Sequence, residues 1–201
     1  MSAVPTSGKR EATKQANRAA ILTAAREVFA DIGFGAATVR DIVRGTDLAT
    51  GTFYNYFPDK ESVLVALLEE SAGEARLRVR AARREGATLE AFVRDGFRAY
   101  FDFLIEDPAR SRLLARNAGT IRAMFNEPSL VGGVVELGED LEAAVASGLI
   151  PDHNVEYMAA AMVGAALEIG ARMLESPRPD PERATAFVSA LFIAGLRAAA
   201  G

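Results

Sequence analysis

The chain has 201 residues, of which 50% are hydrophobic and 25% are charged, and its formal net charge is −4 at pH 7. A chain of this length can bury a substantial core and hold one small domain beside a larger one. The sequence contains no cysteine, which excludes disulfides and thiolate metal sites and favours a reducing cytoplasm.

The sequence favours a location away from membranes. Residues 1–10 lack an apolar core of signal-peptide length. The most apolar later run, residues 158–167, is too short to span a bilayer and is followed by Glu168. We therefore predict a soluble cytoplasmic protein with no membrane partner.

The charge is unevenly distributed along the chain. Residues 1–60 carry 8 Lys/Arg against 6 Asp/Glu, whereas the remainder carries 15 against 21. This pattern is consistent with DNA contact at one end of an acidic protein. Basic residues before and early in the first helix could track phosphates or form a solvated tail. We predict phosphate contact for Lys14 and Arg18, and a disordered arm over residues 1–12.

The stretch from Thr38 to Lys60 predicts two short helices around a tight turn. The first has an apolar face at helical spacing, formed by Val39, Ile42 and Val43. Thr38 precedes this face as a candidate N-cap. The pattern breaks at residues 45–47, where Asp47 is one of the few non-glycine residues that tolerate a left-handed conformation.

The second short helix carries the functional signal. Its buried residues are Leu48, Phe53 and Phe57, and Pro58 ends it. The side chains left facing outward are those of Thr50, Gly51, Tyr54 and Asn55. Hydroxyls, an amide and rings suit a helix in a DNA major groove, although an ordinary surface helix could also hold them. Lys60 opens the next helix, where its charge and the first-turn amides could hold a phosphate.

This region resembles the DNA-binding domain of the TetR family of bacterial transcriptional regulators. The resemblance rests on Thr38-x-Arg40-Asp41-Ile42, on Gly51-Thr52-Phe53-Tyr54-x-Tyr56-Phe57-x-Asp59-Lys60-Glu61, and on residues 20–34, which are similar to the family's first helix. Two positions depart from it: Asp47 stands where glycine is usual, and Ala49 where Ser or Thr usually starts the helix. Thr50 is therefore an alternative cap.

The resemblance implies a helix-turn-helix domain over residues 1–58 that binds an operator in double-stranded DNA. It also implies a ligand-responsive regulator, most simply a repressor released by an effector. The predicted DNA-binding residues are Lys14, Thr38, Arg40, Thr50, Gly51, Thr52, Tyr54, Asn55, Tyr56 and Lys60.

From residue 59 the periodicity predicts helices to the end of the chain, so the expected fold class is all-α. The resemblance implies a three-helix DNA-binding domain followed by a larger ligand-binding and dimerisation domain over residues 59–201. The expected caps and stops are Asp59, Gly86, Thr88, Asp107-Pro108, Gly148 and Asp152. The later helices are expected at residues 108–117, 121–125, 128–146, 155–174 and 182–199.

Three arginines, Arg76, Arg80 and Arg83, fall on one face of the first long helix. Cations near a helix C-terminus interact favourably with the helix macrodipole, and stabilisation of the helix is the simpler interpretation of these arginines. An anion-binding role, for example toward an acyl-CoA, is the alternative.

The last two helices are apolar over a wide arc and rich in small residues, which indicates cover on more than one side. A single-chain core could supply that cover, but a four-helix interface between two copies explains it better. TetR-like proteins dimerise in this way, so we predict a homodimer. The predicted interface residues are Ala161, Gly164, Ala165, Ala190 and Ala194.

The middle helices are candidates for an effector cavity. The predicted ligand-binding residues are Phe97, Phe101, Leu104, Asn117, Ile121, Arg122, Phe125, Met162 and Glu168. An aromatic stripe at helical spacing is more often ordinary core, whereas the family resemblance favours a cavity. Residues 103–122 also resemble, over a short stretch, the branch that senses fatty acyl-CoA thioesters.

Two other classes of function compete with a ligand-responsive regulator. An enzyme is disfavoured because the chain has one histidine, His153, and no cysteine or phosphate-binding glycine loop. An architectural DNA-binding protein is disfavoured by the acidity of the chain. We predict no catalytic residue, no metal and no cofactor.

Overall fold

The computed structural model describes residues 6–124 and 128–199. Within these residues the chain forms ten α-helices and no strand, so the all-α prediction is confirmed. The helices are α1 Thr6–Asp31, α2 Val39–Arg44, α3 Thr50–Phe53, α4 Lys60–Glu85, α5 Leu89–Glu106, α6 Pro108–Arg116, α7 Ala118–Ala123, α8 Pro128–Ala146, α9 Val155–Glu175 and α10 Pro181–Ala199.

The chain divides into two compact units, Met1–Leu68 and Glu69–Gly201, which we call the head and the body. The division falls inside α4, so this helix contributes residues to both units. The division at residue 58 suggested by the sequence stays a prediction.

The head is built around a small apolar core. Its larger buried side chains are Ile21, Leu22, Phe29, Ile42, Val43, Phe53, Phe57, Val63, Leu64 and Leu67. A Cβ at Gly45 would lie 3.0 Å from the Cβ of Ala24, so glycine permits the end of α2 to approach α1 closely. These helices are short, and packing of their apolar faces supplies most of their stability.

The predicted disordered arm is wrong over residues 6–12, because α1 begins at Thr6. Lys9, Arg10, Glu11 and Ala12 all have good helix propensity and continue the register of the later turns. The part of the prediction that covers residues 1–5 lies outside the described residues.

The first helix of the predicted pair begins as expected. Thr38 accepts a hydrogen bond from the Asp41 amide at 3.3 Å, and the Asp41 carboxylate accepts one from the Thr38 amide at 3.0 Å. This is a reciprocal capping box. The Thr38 bonds hold the pKa of Asp41 below its usual range. The carboxylate is therefore ionised at neutral pH, as the capping role requires.

The turn between α2 and α3 does not use a left-handed residue. Among the described residues, positive φ is confined to Gly33 and Gly148, so Asp47 has an ordinary backbone conformation. The Thr46 hydroxyl donates to the Val43 carbonyl at 2.8 Å and accepts from the Leu48 amide at 3.2 Å. A side chain therefore closes this turn, and glycine is not required at position 47.

The start of α3 also differs from one alternative in the sequence analysis. The helix begins at Thr50, and Ala49 occupies the N-cap position with extended backbone angles. Thr50 is therefore the first helical residue and not the cap. The Thr52 amide donates to the Ala49 carbonyl at 2.8 Å, which closes the first turn without a side-chain acceptor.

The body is a helical bundle in which α5 packs on α9 and α10, and α8 packs on α9. Its buried core includes Phe92, Val93, Phe101, Leu141 and Leu196. The Phe97 ring stacks between Phe101 and Phe192, at centroid distances of 6.2 and 5.6 Å. Burial of these rings supplies a large share of the apolar area that holds the bundle together.

Most of the predicted helix boundaries in the body are confirmed. Thr88 caps α5 by accepting from the Ala91 amide, and Asp107 caps α6 by accepting from the Ala109 and Arg110 amides. Gly148 follows α8 with φ of +73°. At Gly86 a Cβ would lie 2.7 Å from the backbone nitrogen of Phe92, so glycine is required for the close approach of these segments.

The predicted cap of α9 is wrong. Asn154, not Asp152, accepts the hydrogen bond from the Tyr157 amide, at 2.9 Å. The helix starts at Val155, so the N-cap position falls at residue 154. This side chain satisfies one of the amides that the first turn leaves without an internal partner.

One helix among the described residues, α9, is long and apolar enough by length and composition to cross a membrane. Its apolar residues Ala159, Met162 and Met173 are buried in the body core, and it also carries Glu168 and Arg172. The core packing accounts for the apolar composition of this face.

Candidate DNA interface and body pockets

The outer face of α3 and of the turn that follows it, residues 50–55, presents polar groups above the fully buried Phe53. Phe53 is 0% exposed, whereas the next residue, Tyr54, is 56% exposed. Thr50 and Asn55 are exposed as well. Burial of one side of this short segment therefore aims hydroxyl and amide groups at solvent, as expected of an element that reads base edges.

Gly51 lies on the same outer face. Within the described part of the chain, no heavy atom outside its local backbone lies within 4 Å of a Cβ built there. Its φ is not in the left-handed region. The head itself therefore does not require glycine at this position, which leaves close approach by an external partner as a physical reason for it.

Arg40, Thr38 and Lys14 complete the exposed part of the predicted DNA-binding set. Arg40 lies in the first turn of α2, and Lys14 lies in the exposed N-terminal part of α1. The Thr38 hydroxyl also donates to Asp41 at 2.6 Å, so the capping box orients it.

Tyr56 and Thr52 are half-buried. The Tyr56 hydroxyl accepts a hydrogen bond from Asn17 at 3.0 Å, which ties the residues after α3 to α1. A phenol hydroxyl can donate one hydrogen bond while it accepts another, so the predicted DNA contact of Tyr56 stays a prediction. The hydrogen bond from Asn17 fixes the orientation of the Tyr56 ring.

The Lys60 side chain makes contacts within the head, and its phosphate contact stays a prediction. Its Nζ donates to the carbonyl oxygens of Phe34 and Ala37, at 2.8 and 2.9 Å, and lies 4.5 Å from the centroid of the Phe34 ring. Two carbonyls and a ring face therefore engage the ammonium within the head. The contacts identify Lys60 as a clamp that holds the loop between α1 and α2 against the start of α4.

The body contains a large apolar pocket between α4, α5, α8 and α9. The volume of this cavity is about 130 Å³. Its lining residues include Val79, Phe92, Val93, Phe97, Tyr100, Leu137, Met162, Val163 and Leu167. Two predicted ligand-binding residues, Phe97 and Met162, lie in this lining.

A smaller pocket of about 80 Å³ lies between α5, α6, α7 and α9. Its lining contains four predicted ligand-binding residues, namely Leu104, Ile121, Arg122 and Glu168. The predicted set is thus divided between two pockets. Tyr100 and Leu167 line both pockets, and the sequence analysis did not assign either residue to a ligand site.

The remaining predicted ligand-binding residues lie elsewhere. Phe101 is 0% exposed in the core, and Asn117 donates to the Leu113 carbonyl at 2.7 Å from the junction of α6 and α7. Within the described residues, neither belongs to the lining of these two pockets. Phe125 lies outside the described residues.

The arginines of α4 pair with acidic residues of α8, in what we call the α4–α8 ladder. Arg76 pairs with Glu136 at 3.1 Å, Arg80 with Glu139 at 3.0 Å and with Asp140 at 3.2 Å, and Arg83 with Asp140 at 2.8 Å. Three positive charges thus face three negative ones. This pairing disfavours the suggested anion-binding role, because an incoming anion would have to displace carboxylates already in place.

The sequence contained a signal for this ladder. The arginines at 76, 80 and 83 are four and three residues apart, and the acidic residues at 139 and 140 lie three and four residues after the one at 136, so each set falls on one side of its helix. The sequence shows the spacing of charges within each helix, but it does not show which other helix packs against those charges. Packing of α4 against α8 decides which charges meet.

The small pocket has charged residues in its lining, Arg122 and Glu168, that are already paired. Glu168 accepts from Arg122 at 2.8 Å and from Arg172 at 3.1 Å. These bonds hold the pKa of Glu168 below its usual range, so its carboxylate is charged at neutral pH.

The predicted dimer residues lie on α9 and α10. Ala161, Gly164, Ala190 and Ala194 are exposed, whereas Ala165 is half-buried against the core. Three large apolar side chains are exposed on the same two helices: Tyr157 at 71%, Phe187 at 62% and Leu191 at 57%. Phe187 and Leu191 are one turn apart, so they lie on one face of α10.

The chain is similar to known regulators in sequence and in fold. A family model described as bacterial regulatory proteins, tetR family, matches residues 21–67. The transcriptional regulator FadR from Bacillus subtilis in complex with stearoyl-CoA is 25% identical, with a TM-score of 0.74 over 88% of this chain and 97% of that one.

Two further solved structures share the fold. The fatty acid degradation regulator FadR from Bacillus halodurans is 24% identical, with a TM-score of 0.75 over 90% of this chain and 96% of that one. A TetR-family regulator from Pectobacterium atrosepticum is 23% identical, with a TM-score of 0.73 over 94% and 96%. The N-terminal match and the shared fold thus make the chain similar to the tetR family of bacterial regulatory proteins.

Proposed function

We propose that this protein is a cytoplasmic, ligand-responsive transcriptional repressor that binds a palindromic operator as a homodimer. The observation that supports this proposal most directly is that Thr50 and Gly51 of α3, and Tyr54 and Asn55 in the turn after it, are exposed while Phe53 is buried. These residues lie within the match to the tetR family model. In this proposal α3 enters the major groove, and Arg40 contacts phosphate or a guanine edge.

The homodimer is supported by the exposed apolar face of α9 and α10. Burying side chains as large as Tyr157, Phe187 and Leu191 would each add apolar area removed from water. The small residues Ala161, Gly164, Ala190 and Ala194 would let two copies approach closely. A twofold axis through such an interface gives two recognition helices for two half-sites.

We assign the effector site to the body pockets and propose a largely apolar ligand. The large pocket is lined mainly by aromatic and aliphatic side chains, with Arg76, Arg83 and Glu136 as its charged members. Because these groups belong to the α4–α8 ladder, the large pocket suits an uncharged apolar group. An acyl-CoA remains a candidate when its chain is inside and its charged end is outside.

Coupling between ligand and DNA would run through α4, which contributes residues to the large pocket and to the head. A ligand changes DNA affinity only if it binds the DNA-competent and incompetent arrangements differently. A displacement of α4 by the ligand would alter the spacing of the two heads. A coupling of about 1–3 kcal/mol is sufficient to release an operator.

The test is a gel-shift titration of the protein on its own promoter and on random DNA of equal length, at two salt concentrations. A repressor of the proposed kind prefers the promoter at both salts, and Asn55→Ala reduces that preference. Equal affinity for both DNAs would instead favour an architectural DNA-binding protein, the alternative function. Titration of neutral lipophiles and of acyl-CoAs then tests whether a ligand releases the promoter.

A further inference from the structure

The two body pockets meet at Tyr100 on α5 and Leu167 on α9. Both residues line the large pocket and also the small one. The other described lining residues belong to one pocket or the other. These two side chains therefore form the wall between two apolar spaces, and we call them the partition.

Packing holds the Tyr100 side of the partition in place. A Cβ at Gly170 would lie 3.3 Å from Cε1 of Tyr100 and 2.7 Å from Cδ1 of Leu104, so the absence of a side chain there lets the ring lie against α9. The Phe101 ring also packs against the Tyr100 ring, with 5.6 Å between the two centroids. Rotation of Tyr100 would have to displace well-packed neighbours.

The size of the large pocket limits what fits beside a fixed partition. Its volume of about 130 Å³ is slightly below that of an engineered apolar cavity that accepts benzene, about 150 Å³. A ring or a chain of about six carbons would fill it. A longer chain would have to enter the small pocket, whose lining beyond the partition is also apolar at Leu104, Leu114 and Ile121.

We propose that Tyr100 and Leu167 set the length of the apolar group that the body accepts, by confining it to the large pocket. This inference rests on the proposed effector site and adds its specificity. The wild-type protein then favours ring-sized or short-chain apolar groups. Removal of either side chain joins the pockets into one channel for a longer chain.

The test measures binding of hexanoyl-CoA and dodecanoyl-CoA by calorimetry, with dodecanoyl-CoA below its micellar concentration. Each newly buried methylene is worth about fourfold in affinity. For the wild type, the two ligands should therefore bind within about tenfold of each other, because the extra methylenes stay outside the pocket. In Tyr100→Ala and in Leu167→Ala, dodecanoyl-CoA should gain at least about tenfold over hexanoyl-CoA.

Two variants serve as controls. Tyr100→Phe keeps the ring, so the ratio of the two affinities should match that of the wild type. Leu141→Ala removes a fully buried leucine of α8 that is absent from both described linings, and it controls for general loosening of the core. If Tyr100→Ala does not fold, Leu167→Ala provides a second measurement of the affinity ratio without the partition.

The outcomes separate this inference from the proposed function. If the ratio of the two affinities is the same in the wild type and in both alanine variants, the proposed role of the partition is wrong. The proposed effector site would not be contradicted by that result. The same applies if Leu141→Ala shifts the ratio as much as Leu167→Ala. Failure of every protein to bind either ligand would contradict the proposed acyl-chain site itself, and the partition with it.

Discussion

Arg83 on α4 donates two hydrogen bonds to a single oxygen of Asp140 on α8, through Nε at 3.1 Å and Nη2 at 2.8 Å. Both side chains are buried, with 9% and 7% of their surfaces exposed. Burial by itself lowers the pKa of Arg83, and the Asp140 charge opposes that shift. The pair is therefore a buried contact whose two charges depend on each other.

Removing one member of this pair should destabilise the body strongly. We expect Asp140→Ala to lower the free energy of unfolding by about 3–5 kcal/mol, because it leaves a buried guanidinium without its main partner. The more exposed Arg80–Glu139 pair of the α4–α8 ladder provides the control. Glu139→Ala should lower the free energy of unfolding by no more than about 1 kcal/mol. Urea unfolding followed by circular dichroism measures both, and equal effects would contradict the distinction.

Gly51→Ala should separate folding from DNA binding. The described residues leave open space at this position, and alanine reduces the entropy of the unfolded chain, so the head should gain about 0.4–1 kcal/mol or stay unchanged. Affinity for the promoter should fall, because a methyl group would stand where the DNA approaches. Differential scanning calorimetry and gel shifts measure the two effects. An unchanged promoter affinity would argue against contact at α3.

Lys60 should behave as a structural residue. We expect Lys60→Met, which keeps much of the apolar stem, to lower the melting temperature of the head by removing two charged hydrogen bonds worth about 1.5–3 kcal/mol each at most. The slope of DNA affinity against salt should stay close to that of the wild type. Lys14→Met, at an exposed site on α1, is the comparison and should reduce that slope by about one phosphate contact. The reverse result would restore the phosphate role of Lys60.

A charge in the exposed face of α10 should disrupt assembly. Ala190→Glu would place a carboxylate in a close-packed interface without a partner. We expect a monomer in sedimentation velocity at micromolar concentration, and loss of promoter binding, although this residue lies in the body. Ala143→Glu, at an exposed position on α8, should leave both properties unchanged. A monomeric wild type under the same conditions would remove the proposed dimer.

Tyr100 should make the body sensitive to alkaline pH. Burial raises the pKa of its phenol above the ordinary value of 10.0. The folded state therefore holds the proton more tightly than the unfolded state. The resulting stability is present below the unfolded pKa and is lost as the pH rises toward the higher folded value.

We expect Tyr100→Phe to move alkaline unfolding to a higher pH, with circular dichroism as the measurement. Tyr157→Phe, at a side chain that is 71% exposed, is the matched control and should leave the midpoint in place. A midpoint that is identical in wild type and Tyr100→Phe would show that another group controls alkaline unfolding.

The sequence by itself determined the helices and the orientation of the candidate DNA face. The period of Val39, Ile42 and Val43 and the anchors Phe53 and Phe57 are local properties, because they depend on spacing within one helix. Caps such as Thr38 and Thr88 were readable for the same reason, since each bonds an amide three residues away. Asn154 was missed because the sequence analysis assigned the cap to Asp152, although residue 154 directly precedes the start of α9 at Val155.

Only the tertiary structure decided which distant groups meet. Lys60 reaches carbonyls 26 and 23 residues earlier, and Arg83 meets a carboxylate 57 residues later. Helix periodicity gives the face on which a charge lies but not the helix that packs against it. The division of the predicted ligand site into two pockets follows from the same limit. Tyr100 and Leu167 become a shared wall only when α5 and α9 pack together, because contact between side chains on two helices depends on their crossing and not on their separate periods.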